Sequence, residues 1–383
     1  MFTRNKLPAL AAVSALALVL AGSFAGFANA AGTPPQDAHV VLLTPFLDGS
    51  NTSESASNQK MADGWVANGW FGTGVIYQRT FVPVGSTSNL TYHVTDKNGA
   101  PLVNQIVNLR VNKGYSTSSS IIQVDNVITK GVDKPPLDQG NVFHTTDAFG
   151  NVTFSVKDLD AAPLGEPQPD SWTGAPNISS DGLNDLHSQM LLQIAGEKPD
   201  HSVFTEFHYY IPKSPVVQSA KTPTLKLVAP MLDAANSFTT SAGVKGAYAN
   251  VGLTVIVAYK VLDDAGAALP NATVEIKNGA TTLTAVSDAM GYAVFTIKDT
   301  HTKGEAKPAS PTTAPAAAGS ATLSITPTVT GATSVTADAL ELHFFGTPLK
   351  STAASSAISC AKGKTIVRVT GANPKCPKGY TKK

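Results

Sequence analysis

The chain has 383 residues, 14% of them charged and 42% hydrophobic, with a formal net charge of +1 at pH 7. At roughly 150 residues per domain, that length points to two domains plus extras. Both cysteines, Cys360 and Cys376, fall within the last 24 residues, so the bulk of the chain must hold together by burying apolar surface, which excludes a disulfide-dependent scaffold.

The near-zero charge conceals a split. Lys362, Lys364, Arg368, Lys375, Lys378, Lys382 and Lys383 make the last 33 residues wholly basic, while residues 31–350 carry 19 basic against 27 acidic residues. A basic end on an acidic body suits anionic envelope polymer or membrane, or folding back on the body. No nucleic-acid partner is expected.

From the beginning, Arg4 and Lys6 precede an apolar run from Leu7 to Phe27, and Ala28-Asn29-Ala30 offers a cleavage site before Ala31. Residues 1–30 therefore read as an export signal, which places the rest of the chain on the extracellular side, secreted or at the cell surface. The run is also long enough for an uncleaved anchor, although Gly22, Ser23, Gly26 and the small-residue ending favour removal.

Beyond it, short segments alternate apolar and polar residues, as strands with one buried face do. "VVLLTPFLD" (40–48) opens the series, and "DGWVANGWFGTG" (63–74) sets Trp65, Trp70 and Phe71 among glycines. Leu90, Tyr92 and Val94 share one face of the next strand, and Val107, Leu109 and Val111 one face of the strand after it. "DKNGAP" between them has the Asp and Gly of a tight reversal.

Residues 112–143 interrupt this pattern with a polar stretch around Ile121-Ile122, which reads as an added edge hairpin. "TTDAFGNVTFSVKD" (145–158) is then expected to form a turn capped by Asp147, with Gly150 at positive φ, and a core strand burying Val152, Phe154 and Val156. A second insertion, 159–200, is rich in Pro, Asp and Gly, includes Trp172, and reads as an exposed excursion.

The same series then returns in order. "LKLVAPMLD" (225–233) matches 40–48, and "VIVAYKVLDDAGAAL" (255–269) matches 89–102, with Val257, Tyr259 and Val261 for Leu90, Tyr92 and Val94. "VSDAMGYAVFTIKD" (286–299) shares six of fourteen positions with 145–158, and "DALELHFFGTP" matches "VFTEFHYYIP". Ordered recurrence of this kind marks duplicated domains. At the place of the second insertion, copy two has "KGEAKPASPTTAPAAAGS" (303–320), a low-complexity tract expected to be flexible. The boundaries expected are 39–213 for domain one, 222–348 for domain two and 349–383 for the tail.

These motifs resemble the bacterial immunoglobulin-like domains of the invasin and intimin type, and more broadly the repeats of surface adhesins. The resemblance covers about half of residues 39–348, and copy one departs from it in its two insertions. It implies an all-β fold of two tandem immunoglobulin-like antiparallel β-sandwiches; the short strands, Gly/Pro/Asn turns and lack of amphipathic helices by themselves point to antiparallel β-sandwiches.

The tail "ISCAKGKTIVRVTGANPKCPKGYTKK" resembles C-terminal segments of exported actinobacterial proteins. Its alternation and its turn suggest a small hairpin closed by a Cys360–Cys376 disulfide, worth about 3 kcal/mol in the loop-entropy picture.

No Gly-x-Ser-x-Gly, His-Glu-x-x-His, phosphate-cradling loop or Cys-x-x-Cys occurs. Ser57-Asn58-Gln59-Lys60 fits Ser-x-x-Lys without its usual partner motifs, so a non-catalytic protein is expected. The repeated Glu-x-His places Glu206 with His208, and Glu341 with His343, on one strand face. Each pair either presents two ligands to a metal ion or faces solvent or a cross-strand partner. Trp65, Trp70, Phe71 and Trp172 either stack on sugar rings or seal one end of the larger sandwich. Asp158, Asp160, Asp181 and Asp185 are calcium candidates, though their spacing matches no loop consensus. The expected role is an exported surface structural or adhesive module whose partners are envelope polymers, glycans or surface proteins. A carbohydrate-binding module and a self-assembling layer or fibre subunit are the alternatives.

Overall fold

The computed structural model describes residues 38–45, 76–112, 121–129, 141–160, 166–167, 187–194, 203–211, 220–232, 236–315, 319, 321–348, 356–362, 365–371 and 381–382. The export signal, Ser57–Lys60, Trp65, Trp70, Phe71, Trp172, Asp181 and Asp185 lie outside them. Among the described residues there is no helix, and hence none long and apolar enough to cross a membrane.

In chain order the strands begin with β1 (His39–Thr44), β2 (Ile76–Pro83), β3 (Thr87–Thr95), β4 (Ile106–Asn112), β5 (Ile122–Val124) and β6 (Val127–Thr129). They continue with β7 (Asn141–Thr145), β8 (Asn151–Asp158), β9 (Glu166–Pro167), β10 (His187–Ile194) and β11 (Val203–Ile211). The second series has β12 (Thr224–Ala229), β13 (Ser237–Thr239), β14 (Lys245–Asn250), β15 (Thr254–Leu262), β16 (Thr273–Asn278) and β17 (Thr281–Val286). It ends with β18 (Tyr292–Lys298), β19 (Thr322–Ile325), β20 (Thr328–Val329), β21 (Thr336–Ala337) and β22 (Leu340–Phe345). The tail adds β23 (Ser356–Lys362), β24 (Thr365–Gly371) and β25 (Thr381–Lys382).

Two sheets ordered β1-β3-β8-β5-β6 and β2-β11-β10-β4-β7 enclose the first core, β9 pairing on β11. In the second series, β18-β15-β12-β21 faces β13-β14-β22-β19 and β17-β16-β20. The fold is thus the all-β pair of immunoglobulin-like sandwiches that the resemblance implied, with sheets that are mixed rather than wholly antiparallel, since β2 runs parallel to β11 and β14 to β22. Leu90, Tyr92 and Val94 are fully buried, and so are Val257, Tyr259 and Val261. The tail forms a sheet ordered β24-β23-β25. Cys376 is outside the described residues, as are the side-chain surroundings of Cys360, so the expected bridge is not part of this description.

The turns repeat bond for bond. Asp96 Oδ1 accepts the N–H of Asn98 and Ala100, and Asp263 Oδ1 accepts those of Ala265 and Ala267. Asp147 Oδ1 accepts Phe149 and Asn151 N–H, with Gly150 at φ 74°, while Asp288 Oδ1 accepts Met290 and Tyr292 N–H, with Gly291 at φ 80°. A Cβ at Gly150 would lie 2.4 Å from the Val94 carbonyl oxygen, so closeness as well as φ demands glycine there.

What the turns do beyond capping is join the two sandwiches. The second oxygen of Asp147 accepts the N–H of Ile256 at 2.6 Å, across the junction, and that of Asp288 accepts the N–H of Asn89 at 2.7 Å. Asn89 and Ile256 are matching positions of the repeat. Ala148 N–H bonds Thr254 O and Ala289 N–H bonds Thr87 O, again matching positions. Phe149 packs within the second core, and Met290 and Tyr292 within the first. Residue i of one copy meets residue j of the other, and j meets i, so the copies are related by a pseudo-two-fold axis.

Two expectations are corrected, and one acidic pair is located. Within 159–200, read as an exposed excursion, β10 is a central strand between β11 and β4 that buries Met190, Leu192 and Ile194. Alternate apolar residues supply the reason, set beside a Pro-rich stretch that masked them. The tract 303–320, read as flexible, is held through its described residues: Gly304 N–H bonds Gly346 O at 2.7 Å and Glu305 N–H bonds Phe344 O at 2.9 Å. The acidic group Asp158/Asp160 is occupied by backbone amides, as set out below.

Candidate functional site

β22 turns Leu340, Leu342 and Phe344 into the core, and therefore Glu341 and His343 to the outer face of its sheet. His343 Nε2 lies 2.5 Å from Glu341 Oε1, and its Nδ1 lies 3.1 Å from Glu305 Oε2 and 3.2 Å from the Thr322 hydroxyl. That hydroxyl donates to Glu305 Oε1 at 2.9 Å. The imidazole is entirely buried, flanked by Phe238 at 5.5 Å and Tyr248 at 5.7 Å between ring centroids. Phe238 reaches this place because Gly246 opposite it has no side chain: a Cβ there would come within 2.3 Å of the phenyl ring.

Glu305 comes from the Pro/Ala tract, so the cluster straps residues 303–315 over the sheet. Tyr248 adds a second tie, its hydroxyl donating to Thr313 O at 2.8 Å. Burial first, and then the charges of Glu305 and Glu341, push the Tyr248 hydroxyl above its ordinary pKa. In copy one, Glu206 and His208 also pair with each other, through Oε1 and Nε2, and both are buried. The Phe81 ring lies 5.6 Å from His208. The two Glu-x-His motifs thus bring Glu and His together as expected of neighbours on one face. Among the described residues no group of three or more His, Cys, Asp or Glu is arranged to hold a metal.

Asp158 Oδ2 accepts Gly85 N–H at 2.7 Å, and Asp160 Oδ2 accepts Ile121 N–H at 3.0 Å. Burial, with the neighbouring Asp160 adding to it, pushes Asp158 up to about 7. At the matching places copy two has Asp299, accepting Gly252 N–H, and His301, bonded to it at 2.5 Å. These acids fix loops. Of the tail's basic residues, Lys362 lies on β23, Arg368 on β24 and Lys382 on β25, while Lys364, Lys375, Lys378 and Lys383 are outside the described residues.

Sequence reasoning missed Glu305, Thr322, Phe238 and Tyr248. One signal was available: Glu305 is the only acidic residue between 303 and 320. Sequence reasoning expected the hairpin of copy one, within 112–143, but not the edge on which it sits. In copy one, β5 pairs with β8 and extends its sheet; in copy two, the matching strand β18 ends its sheet.

No family model matches the chain, and no curated protein matches it. Among solved structures, it is similar to the Escherichia coli adhesin FdeC at 12% identity, over 76% of this chain and 71% of that one, with a TM-score of 0.21. It is similar to invasin, described as a bacterial integrin-binding protein, at 14% identity over 76% and 41%, with a TM-score of 0.19. Domains 4–9 of the surface layer protein SbsC share 15% identity over 76% and 32%, with a TM-score of 0.27. The chain thus spans less than half the length of the invasin and SbsC chains.

Proposed function

We propose that this chain is an exported, non-catalytic structural or adhesive protein of the cell surface. Its domains 39–213 and 222–348 act as one stiff unit, and its basic tail, 349–383, holds it to anionic envelope polymer. The observation that carries this reading is the joint. Four backbone bonds, two of them to buried carboxylates, and three exchanged side chains, Phe149, Met290 and Tyr292, tie the sandwiches together, and stiffness between domains is what a spacer requires. The opposite charges of body and tail support the attachment.

The test is to mix residues 31–383 and 31–350 with purified cell envelopes at rising salt. Sedimentation of the longer chain alone, lost as salt rises, is the expected result. Equal sedimentation of both at moderate salt would overturn the role given to the tail.

A further inference from the structure

The two copies differ in what covers one sheet edge, because the first insertion of copy one has no counterpart in copy two. Every second residue of β8 turns its N–H and C=O away from β3, and in copy one these groups are answered. Leu159 N–H bonds Ile121 O at 2.9 Å, and Lys157 pairs with Gln123 of β5. Ser155 exchanges bonds with Asp125, its N–H going to Oδ1 and its C=O receiving the Asp125 N–H. Thr153 O receives Nδ1–H of His144, whose other nitrogen lies 3.0 Å from Asp125 Oδ2. Ile122 and Val124 are fully buried in the first core. The β5–β6 hairpin thus closes the side of the first sandwich.

Copy two has no such hairpin. Between β16 and β17 there is only the turn at Asn278–Thr281, and Ala285 holds the place of His144. Val294, Thr296, Lys298 and Thr300 match Thr153, Ser155, Lys157 and Leu159, and among the described residues β18 pairs with β15 alone. At the level of Ile297–Asp299, matching the residues on which β5 seats, a crevice of about 30 Å³ opens between Asn278, Ile297, Leu323, Phe344 and His301.

We propose that the open edge of β18, from Thr296 to Thr300, is a docking site for an extended apolar–polar–apolar segment of another protein chain. The segment adds to the sheet antiparallel, as β5 adds to β8. Main-chain bonds to residues 296, 298 and 300 hold it, and an apolar side chain enters the crevice; this is recognition by strand addition. The occupant's chemistry is argued from the chain's own example, Ile122-Gln123-Val124, whose alternation fits a pleated strand with one buried face.

The probe is the synthetic peptide Ser-Ser-Ile-Ile-Gln-Val-Asp-Asn, residues 119–126, added to the full mature chain. Binding is followed by hydrogen exchange of the β18 amides. Expected are slowed exchange at Thr296, Lys298 and Thr300, and at least tenfold weaker binding to Lys298→Pro. That variant removes an outward N–H without touching the ladder to β15, as proline on an edge strand permits. A peptide N-methylated at Gln123 should also fail to bind, a comparison that needs no protein variant. Protection at sites away from β18, equal binding by the N-methylated peptide, or no binding at millimolar peptide would overturn the proposal.

Discussion

Asp147 and Asp288 each do two things with one carboxyl group: one oxygen caps the residue's own turn and the other crosses to the neighbouring sandwich. Replacing either by Asn puts an amide N–H2 in place of one of the two acceptor oxygens, leaving a buried bond unmade, at a cost of about 1–3 kcal/mol by urea unfolding. Burial, only partly offset by the amide bonds, pushes both carboxyls up to about 6. With an unfolded pKa near 3.9, the folded chain holds protons that the unfolded chain has released. Stability from these groups is therefore fully present below about pH 4 and lost as pH rises through about 6. The destabilisation of Asp147→Asn relative to the parent should accordingly be larger at pH 4.5 than at pH 7.5, and an unchanged difference in melting temperature would contradict it. The capping role of both aspartates was legible in the sequence, since Asp and Gly at that spacing specify a turn. The crossing bond was not, because it depends on where a strand 109 residues away is placed.

Among the elements, the strap 303–315 shows how a low-complexity tract becomes ordered through one side chain. Glu305→Ala removes the carboxylate at His343 Nδ1 and the acceptor of Thr322. Trypsin cleavage after Lys303 should then accelerate by an order of magnitude or more, while the melting temperature of the sandwich changes little. An unchanged cleavage rate would show that the backbone bonds of residues 304 and 305 suffice. In copy one, His144→Ala should loosen the β5–β6 hairpin, read as faster exchange at Gln123 and Asp125 with β3 and β8 unaffected. Period-two alternation gave β3, β8, β15 and β18 directly, and Met190, Leu192 and Ile194 of β10 carry the same signal. Their neighbours rich in Pro, Asp and Gly suggested a loop, and only the ladders to β11 and β4 show the strand as central. Composition likewise described 303–320 as flexible, because nothing in a Pro/Ala tract announces that its lone carboxylate has a buried histidine to reach.

For the molecule as a whole, the bonds and exchanged side chains of the joint should make the sandwiches unfold as one cooperative body. Phe149→Ala removes a side chain buried in the opposite core and should cost about 3–5 kcal/mol, and Met290→Ala about 2–5 kcal/mol. The double variant should replace one calorimetric transition by two as the copies uncouple. A single transition in that variant would mean that the linker alone couples them.

The pseudo-two-fold relation also sets a limit on growth. Contacts of a head-to-tail kind leave a free face at each end, so a gene that keeps duplicating can lengthen its product one unit at a time. Here each copy spends the same face on the other, and a third copy would find none left. Duplication through this contact stops at two, and any longer array must be built through some other surface.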